Sequence, residues 1–230
     1  MTYILDILPF PDLAAVAWFL VGWGGYTLVA DKLRRRHREL AQVMDGYRHK
    51  WMERMLQRDN RMADVNIIIA HHRSGALFAS TTILILAGVV ALLGNVDRLL
   101  VVIDQISFAT LASRELLELK VVALLLVFIY AFFKFAWCLR QYNTTLVLIG
   151  AAPLPTDCDD TDAVQYPKKA ARVLTRATGN FNRGMRAYHF GLAALAWFVH
   201  PYLFMAATVF VVLVLYRRDY HSVTLRALAD

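Results

Sequence analysis

The stretch LKVVALLLVFIYAFFKFAWCLRQYNTTLVLIG, residues 119–150, decides the fold of this chain. Its first part, residues 121–133, is apolar on every face of a helix, which suits lipid better than a soluble core. Lys120 and Arg140 stand about 30 Å apart at the helical rise, so these two cations bracket one bilayer core. The stretch therefore predicts a transmembrane helix over residues 119–139.

A third cation lies inside this predicted span. Lys134 is about 9 Å deeper than Arg140 along the helix. A charge at that depth costs about 2.5–3.5 kcal/mol or more unless it is paired or reaches the headgroups. Helical spacing places Lys134 and Gln141 on one face, so the lower half of the helix has a polar edge. The function depends on what that edge contacts.

The composition is typical of a small polytopic membrane protein. Of the 230 residues, 58% are hydrophobic, and the mean hydropathy is +0.45. The formal net charge of +7 is concentrated in loops, where it indicates topology and not a nucleic-acid partner. The two cysteines, Cys138 and Cys158, form no CxxC motif and indicate neither a disulfide framework nor a zinc site. We expect one all-α membrane domain.

Four apolar stretches are long enough to cross a bilayer. The predicted spans are residues 13–30, 74–93, 119–139 and 187–216. The loop at 31–73 carries eleven Lys and Arg against six acidic residues, and the loop at 140–186 ends in a basic helical segment. The positive-inside rule places both loops in the cytoplasm and the N-terminus outside. In a bacterium, the location would be the inner membrane.

The last apolar stretch is longer than one span requires and contains Pro201 at its middle. Proline cannot donate to the helical ladder, so the pattern predicts a kink near Phe198. The alternative is a hairpin broken at Pro201, which returns the tail to the cytoplasm. Because each half would have about 14 apolar residues, short for a span, the four-span arrangement is favoured, with the tail outside.

The loop at 31–73 contains an amphipathic pattern. Apolar residues, among them Met44, Tyr47 and Trp51, recur at helical spacing with charges between them. This predicts a cytoplasmic helix that lies on the membrane or against a partner helix. The apolar stripe continues towards Ile69 after an interruption at residues 57–60, which predicts an antiparallel pair of helices.

Six blocks of the chain resemble the bacterial and plant membrane-protein family catalogued as domain of unknown function 599. The blocks are WFLVGWGGY at 18–26, RMADVNIII at 61–69, LFASTTILILAG at 77–88, YAFFKFAWCLRQYN at 130–143, FNRGMRAYHFGLAALAWFVHP at 181–201 and LYRRDYHS at 215–222. The resemblance implies an integral membrane protein with about four helices. It implies no activity.

Basic residues gather at the cytoplasmic boundary of the predicted spans. The candidate residues for an anion or lipid-headgroup site are Lys134, Arg140, Gln141, Asn143, Arg73, Arg183 and Arg186. Snorkelling of Lys134 to the headgroups is the simpler explanation for that residue. Asp64, just below the second span, is a candidate structural partner for Arg140 or Lys134.

Three histidines share a predicted membrane depth. His71 and His72 begin the second span and His189 begins the fourth, and two imidazoles on facing helices are the minimum for a b-type haem or a shared metal. The alternative is that each is an interfacial histidine with a wet tip. The sequence predicts no resident cofactor on balance, and it contains no motif that indicates an enzyme.

Three functional classes follow from these patterns. The first is a channel- or transporter-like homo-oligomer with a basic cytoplasmic side, because four short spans enclose little space alone. The second is a non-transport membrane module that docks a partner or anionic lipid. The third is a haem- or metal-binding membrane protein.

Overall fold

The computed structural model describes residues 9–33, 40–105, 113–154, 156, 160–221 and 223–228. Cys158 and residues 1–8 lie outside those ranges. Within the described ranges the regular elements are helical, which confirms the all-α prediction. The helices are α1 (Phe10–Leu33), α2 (Leu40–Leu56), α3 (Met62–Leu93), α4 (Val96–Asp104), α5 (Arg114–Gly150), α6 (Asp160–Leu195), α7 (Pro201–Tyr220) and α8 (Val223–Ala227), with a 3₁₀ turn at Ala196–Phe198.

Four helical stretches in this part of the chain are long and apolar enough to cross a membrane. They are Phe10–Ala30, Met62–Leu93, Arg114–Gly150 and Pro201–Leu225. The first three contain the predicted spans 13–30, 74–93 and 119–139. The loop at residues 31–73, which we call the basic loop, contains the predicted break, because α2 ends at Leu56 and α3 begins at Met62.

The helices fall into two compact units. The first comprises Met1–Leu33, Thr82–Ala131 and Met185–Arg218, and the second comprises Arg34–Thr81, Phe132–Gly184 and Asp219–Asp230. Aromatic side chains fill the core of the first unit, where the ring of Phe19 lies 5.0 Å from that of Phe204 and 5.8 Å from that of Phe190. Such pairs add to the free energy of apolar burial.

Pro201 determines how the chain leaves α6. In a continuous helix its backbone nitrogen would donate to the carbonyl of Trp197, but proline has no N–H. The Nζ of Lys120 donates to that carbonyl oxygen instead, at 2.9 Å. The Nδ1 of His200 accepts a hydrogen bond from the backbone N–H of Tyr202, at 3.2 Å, and so caps the start of α7.

The break reverses the chain direction. Leu192 of α6 and Phe210 of α7 line the same small cavity of about 270 Å³, whereas in one straight helix they would lie about 27 Å apart. The single kinked span expected over residues 187–216 is therefore replaced by two antiparallel helices. Helix α6 begins at Asp160 and has 36 residues, far more than its apolar end.

In the second unit, α8 contacts α2. The tail therefore packs against the helix of the basic loop. This contact favours the hairpin alternative read from the sequence.

Small residues of α6 allow close helix packing in the second unit. Ala170, Ala171 and Ala177 are fully buried there. A Cβ added at Gly184 would lie 2.7 Å from ring carbons of Phe135, so α5 and α6 approach each other more closely than any other residue at 184 would permit.

Arg61 joins the start of α3 to the end of α5. Its guanidinium donates to the carbonyl oxygen of Ala152 at 2.6 Å and also to that of Pro153. The same guanidinium lies 3.5 Å from the carbonyl oxygen of Ile149 at the end of α5, where a cation complements the helix dipole. Arg61 thus fixes the segment that follows α5 relative to the start of α3.

Candidate anion site

A cavity of about 500 Å³ lies within the second unit, between α2, α3 and α6. Among the described residues, its lining carries four basic side chains and no acidic one. The lining residues are Met44, Tyr47, Arg48, Lys50, Trp51, Arg54, Arg58, Ile67, His71, Leu174 and Thr178. We call it the basic cavity.

Helix α2 supplies most of the lining because its two faces differ. Met52 and Met55 are completely buried against the core of the unit. Tyr47, Trp51 and Arg54 follow one another at intervals of three and four residues, so they share a different face. The amphipathic pattern read from the sequence is therefore real, but one edge of the helix faces a cavity.

Two of the four basic side chains already face an acid. Arg48 pairs with Asp45 on the same helix, and its side chain is only 13% exposed. Arg58 donates to the Oδ1 of Asp64 at 2.5 Å. Opposite charges at such distances largely neutralise each other.

The other two basic side chains have no acidic partner among the described residues. The Nζ of Lys50 lies 5.8 Å from the ring centre of Tyr47, a cation–π contact on an exposed surface. The guanidinium of Arg54 has no hydrogen bond or ion pair within the described chain. Because Lys50 and Arg54 are four residues apart on one helix, their side chains are neighbours. They form the available positive charge of the basic cavity.

Asp64 is the buried anchor beside this cavity. Its side chain is 0% exposed and accepts from the Nε1 of Trp51 at 2.6 Å as well as from Arg58. Its second oxygen, Oδ2, is buried and has no hydrogen-bond partner among the described residues. Asp64 is thus a structural pair residue as expected, but its partners are Arg58 and Trp51 and not Arg140 or Lys134.

His71 and Thr178 add polar groups to the lining. The Nδ1 of His71 lies 2.8 Å from the carbonyl oxygen of Ile67, one turn earlier in α3. This bond assigns the proton of a neutral imidazole to Nδ1 and leaves Nε2 as an acceptor. The hydroxyl of Thr178 donates to the carbonyl of Leu174 at 3.1 Å.

The candidate residues on α5 do not line the basic cavity. Lys134 is half-buried, whereas Asn143 is exposed. The guanidinium of Arg140 is exposed and lies 5.9 Å from the ring centre of Trp137. Gln141 accepts a hydrogen bond from the side-chain amide of Asn180 at 2.8 Å. The polar edge of α5 is thus partly used for packing between helices.

The remaining arginine candidates are also outside the cavity. Arg73 is exposed on α3, and Arg183 is half-buried on α6. Arg186 belongs to the first unit, where its guanidinium lies 5.4 Å from the ring centre of Tyr26.

The histidine candidates are divided between the two units. His71 and His72 belong to the second unit, and of these only His71 lines the basic cavity. His189 belongs to the first unit and lines the apolar cavity between α6 and α7. Over the described ranges, no group of three or more His, Cys, Asp and Glu side chains is arranged to hold a metal ion.

A second charged cluster lies in the first unit. Asp12 and Lys120 are both buried, and their Oδ1 and Nζ atoms are 3.4 Å apart. The Nε1 of Trp197 donates to the same oxygen of Asp12 at 2.8 Å. The sequence indicated Lys120 only as a cation that brackets the predicted span. No local signal connected Asp12, Lys120 and Trp197, because Trp197 is 185 residues from Asp12 and 77 from Lys120.

The four long apolar helices define a class of protein. Four helices of spanning length and composition support an integral membrane protein. The chain belongs to the family described as "Protein of unknown function, DUF599", which it matches over residues 14–224. The family resemblance seen in the sequence is thereby confirmed. No curated protein and no solved structure matches the chain.

Proposed function

We propose that this protein is an integral membrane protein that recognises the phosphate-bearing headgroup of an anionic lipid at the basic cavity. The observation that carries the proposal is the charge of the lining: four basic side chains, no acidic one, and two cations, Lys50 and Arg54, without an acidic partner in the described chain. Arginine binds phosphate oxygens through two parallel N–H donors, and lysine adds a compact positive charge.

The depth of the cavity supports a lipid ligand. His71 precedes Ser74, the start of the second predicted span, by about 4.5 Å of helix, and Ile67 precedes it by about 10 Å. The headgroup region on each side of a bilayer core is about 5–8 Å thick. The α3 residues of the lining therefore correspond to the headgroup region and its outer boundary.

The aromatic lining supports the same ligand class. Tyr47 and Trp51 combine an apolar ring with a polar atom, a composition typical of the membrane interface. Met44 and Leu174 add apolar surface beside the cations. Such a lining suits an amphiphile better than a bare inorganic ion.

Lipid binding to the purified protein tests the proposal. We expect native mass spectrometry of wild-type protein in neutral detergent to retain anionic phospholipid in preference to phosphatidylcholine. The double variant Lys50→Ala, Arg54→Ala should lose that preference. Arg172→Ala is the matched control, because Arg172 is an exposed arginine of the same unit that does not line the cavity. Equal retention of the two lipid classes by the wild type would overturn the proposal.

A channel- or transporter-like homo-oligomer is the second candidate function. It is supported by Gly24, which is exposed on α1 and at which an added Cβ meets no described atom within 4 Å. A small residue on an outward face allows close approach of a second helix. In this proposal Lys134 lies on the anion path, and Lys134→Leu should fold normally but lose anion flux into liposomes. A Lys134→Leu variant with unchanged flux would end that role.

A further inference from the structure

We infer that the basic cavity selects a phosphomonoester over a phosphodiester. This inference rests on the proposed function, because it specifies the ligand of the same site. It follows from counting which cations of the lining are already neutralised.

Asp45 and Asp64 each neutralise one arginine of the lining. Asp45 accepts from Arg48 and also from the hydroxyl of Thr175, at 3.0 Å, so this carboxylate is held between α2 and α6. Asp64 is completely buried and holds Arg58. Neither acid can leave its arginine without giving up a second hydrogen bond, to Thr175 or to Trp51. Arg48 and Arg58 therefore shape the cavity but contribute little net charge to it.

Two positive charges remain, on Lys50 and Arg54. A phosphomonoester carries about −1.5 to −2 charges at pH 7, whereas the phosphate of a phosphodiester carries one. Two neighbouring cations match the monoester, and a phosphodiester leaves one of them without a counter-charge. The charge of the cavity thus distinguishes these two classes of ligand.

The polar groups of the lining suit the same ligand. The partly engaged guanidinium of Arg58 retains N–H donors for the phosphate oxygens. The volume of about 500 Å³ exceeds that of a phosphate group, so the cavity also accommodates the carrier of the phosphate. A lipid such as phosphatidic acid and a soluble molecule such as glycerol 3-phosphate share the required chemistry.

Calorimetric titration of the full-length protein in neutral detergent tests the inference. The probes are dioctanoyl phosphatidic acid, dioctanoyl phosphatidylglycerol, dioctanoyl phosphatidylcholine and glycerol 3-phosphate. We expect phosphatidic acid to bind about fivefold more tightly than phosphatidylglycerol, the factor that one further charge contact near a membrane surface supplies. Lys50→Ala and Arg54→Ala should each bring that ratio close to one, whereas Lys50→Arg and Arg172→Ala should keep it.

The outcomes separate the inference from the proposed function. Equal affinity of the wild type for phosphatidic acid and phosphatidylglycerol, with both above phosphatidylcholine, overturns the monoester selectivity alone. Equal affinity for all three lipids overturns the proposed function. Glycerol 3-phosphate binding as tightly as phosphatidic acid supports the monoester selectivity and overturns the lipid as its source. Lys50 and Arg54 are exposed, and the melting temperature of each variant verifies that a changed ratio does not come from unfolding.

Discussion

The Nζ of Lys120 donates a hydrogen bond to the carbonyl oxygen of Trp197, the group that Pro201 leaves without a backbone donor. The lysine is 1% exposed, and its second partner is the carboxylate of Asp12. The ammonium group of Lys120 therefore contacts both the free carbonyl of Trp197 and the buried carboxylate of Asp12. The reversal between α6 and α7 depends on this arrangement.

Replacing Lys120 by Met should destabilise the protein strongly. The substitution leaves Asp12 as a buried charge without its cation and Trp197 with an unsatisfied carbonyl, and removal of one member of a buried pair costs about 3–5 kcal/mol. Unfolding by SDS in mixed micelles measures the loss. The double variant Asp12→Asn, Lys120→Met should recover part of it. Arg114→Ala is the control, because it removes only the exposed ion pairs with Asp97 and Glu118 and should change the stability far less than Lys120→Met.

Replacing Arg58 by Ala should be costly although its side chain is 44% exposed. The buried member of the pair is Asp64, which would keep only its bond to Trp51, and a lost hydrogen bond to a charged group costs about 1.5–3 kcal/mol. Adding Asp64→Asn should restore most of the free energy of unfolding, because the amide carries no charge to compensate. If the double variant is less stable than Arg58→Ala alone, the buried carboxylate is not the source of the cost.

Replacing Gly184 by Ala should destabilise the second unit. The new methyl group would lie 2.7 Å from ring carbons of Phe135, and that ring cannot yield easily because it stacks on Phe78 at 5.5 Å. Overpacking of this kind costs about 1–3 kcal/mol. Gly46→Ala is the control. A Cβ at Gly46 meets no described atom within 4 Å, so alanine should raise the stability of α2 by up to about 1 kcal/mol. Similar melting temperatures for the two variants would contradict the packing described.

A reporter fused to the C-terminus should lie on the same side of the membrane as one inserted at Gly46. The physical reason is the contact between α8 and α2, which brings the tail to the helix of the basic loop. Paired fluorescent-protein and alkaline-phosphatase fusions measure the side of each position. Reporters on opposite sides would reinstate the arrangement with a single span over residues 187–216.

The purified protein should be a homo-oligomer in mild detergent. The outward-facing Gly24 offers a surface for a second copy. Light scattering with correction for bound detergent measures the mass, and Gly24→Leu should shift it towards the monomer. A monomeric wild type in several mild detergents would remove the basis for the channel-like alternative.

The helices could be predicted from sequence because their signals are local. The apolar run at residues 121–133 and the alternation around Tyr47 and Trp51 depend only on residues within a few turns of each other. The excess of Lys and Arg in the basic loop can likewise be counted from the sequence without knowing any contact. For the same reason the end of α2 and the start of α3 agree with the predicted interruption at residues 57–60.

The reversal at Pro201 and the basic cavity could not be predicted in the same way. A proline breaks a helix, but whether the chain bends or turns back depends on a donor 77 residues away, at Lys120. The sequence also shows the cations of α2 without showing which of them face an acid. Asp64 was assigned to the wrong cations because helical depth alone cannot distinguish Arg58 from Arg140.

The hydrogen bond from Lys120 to the carbonyl of Trp197 can form only late in the synthesis of the chain. Asp12 and Lys120 leave the ribosome well before Trp197, so the growing chain holds a buried acid and a buried cation whose last partner does not yet exist. The final helical hairpin supplies both the missing carbonyl and the missing indole. We therefore expect the packing of this unit to be completed only after residue 197 has been synthesised, because a nascent chain stopped before it leaves Lys120 and Asp12 without these two partners.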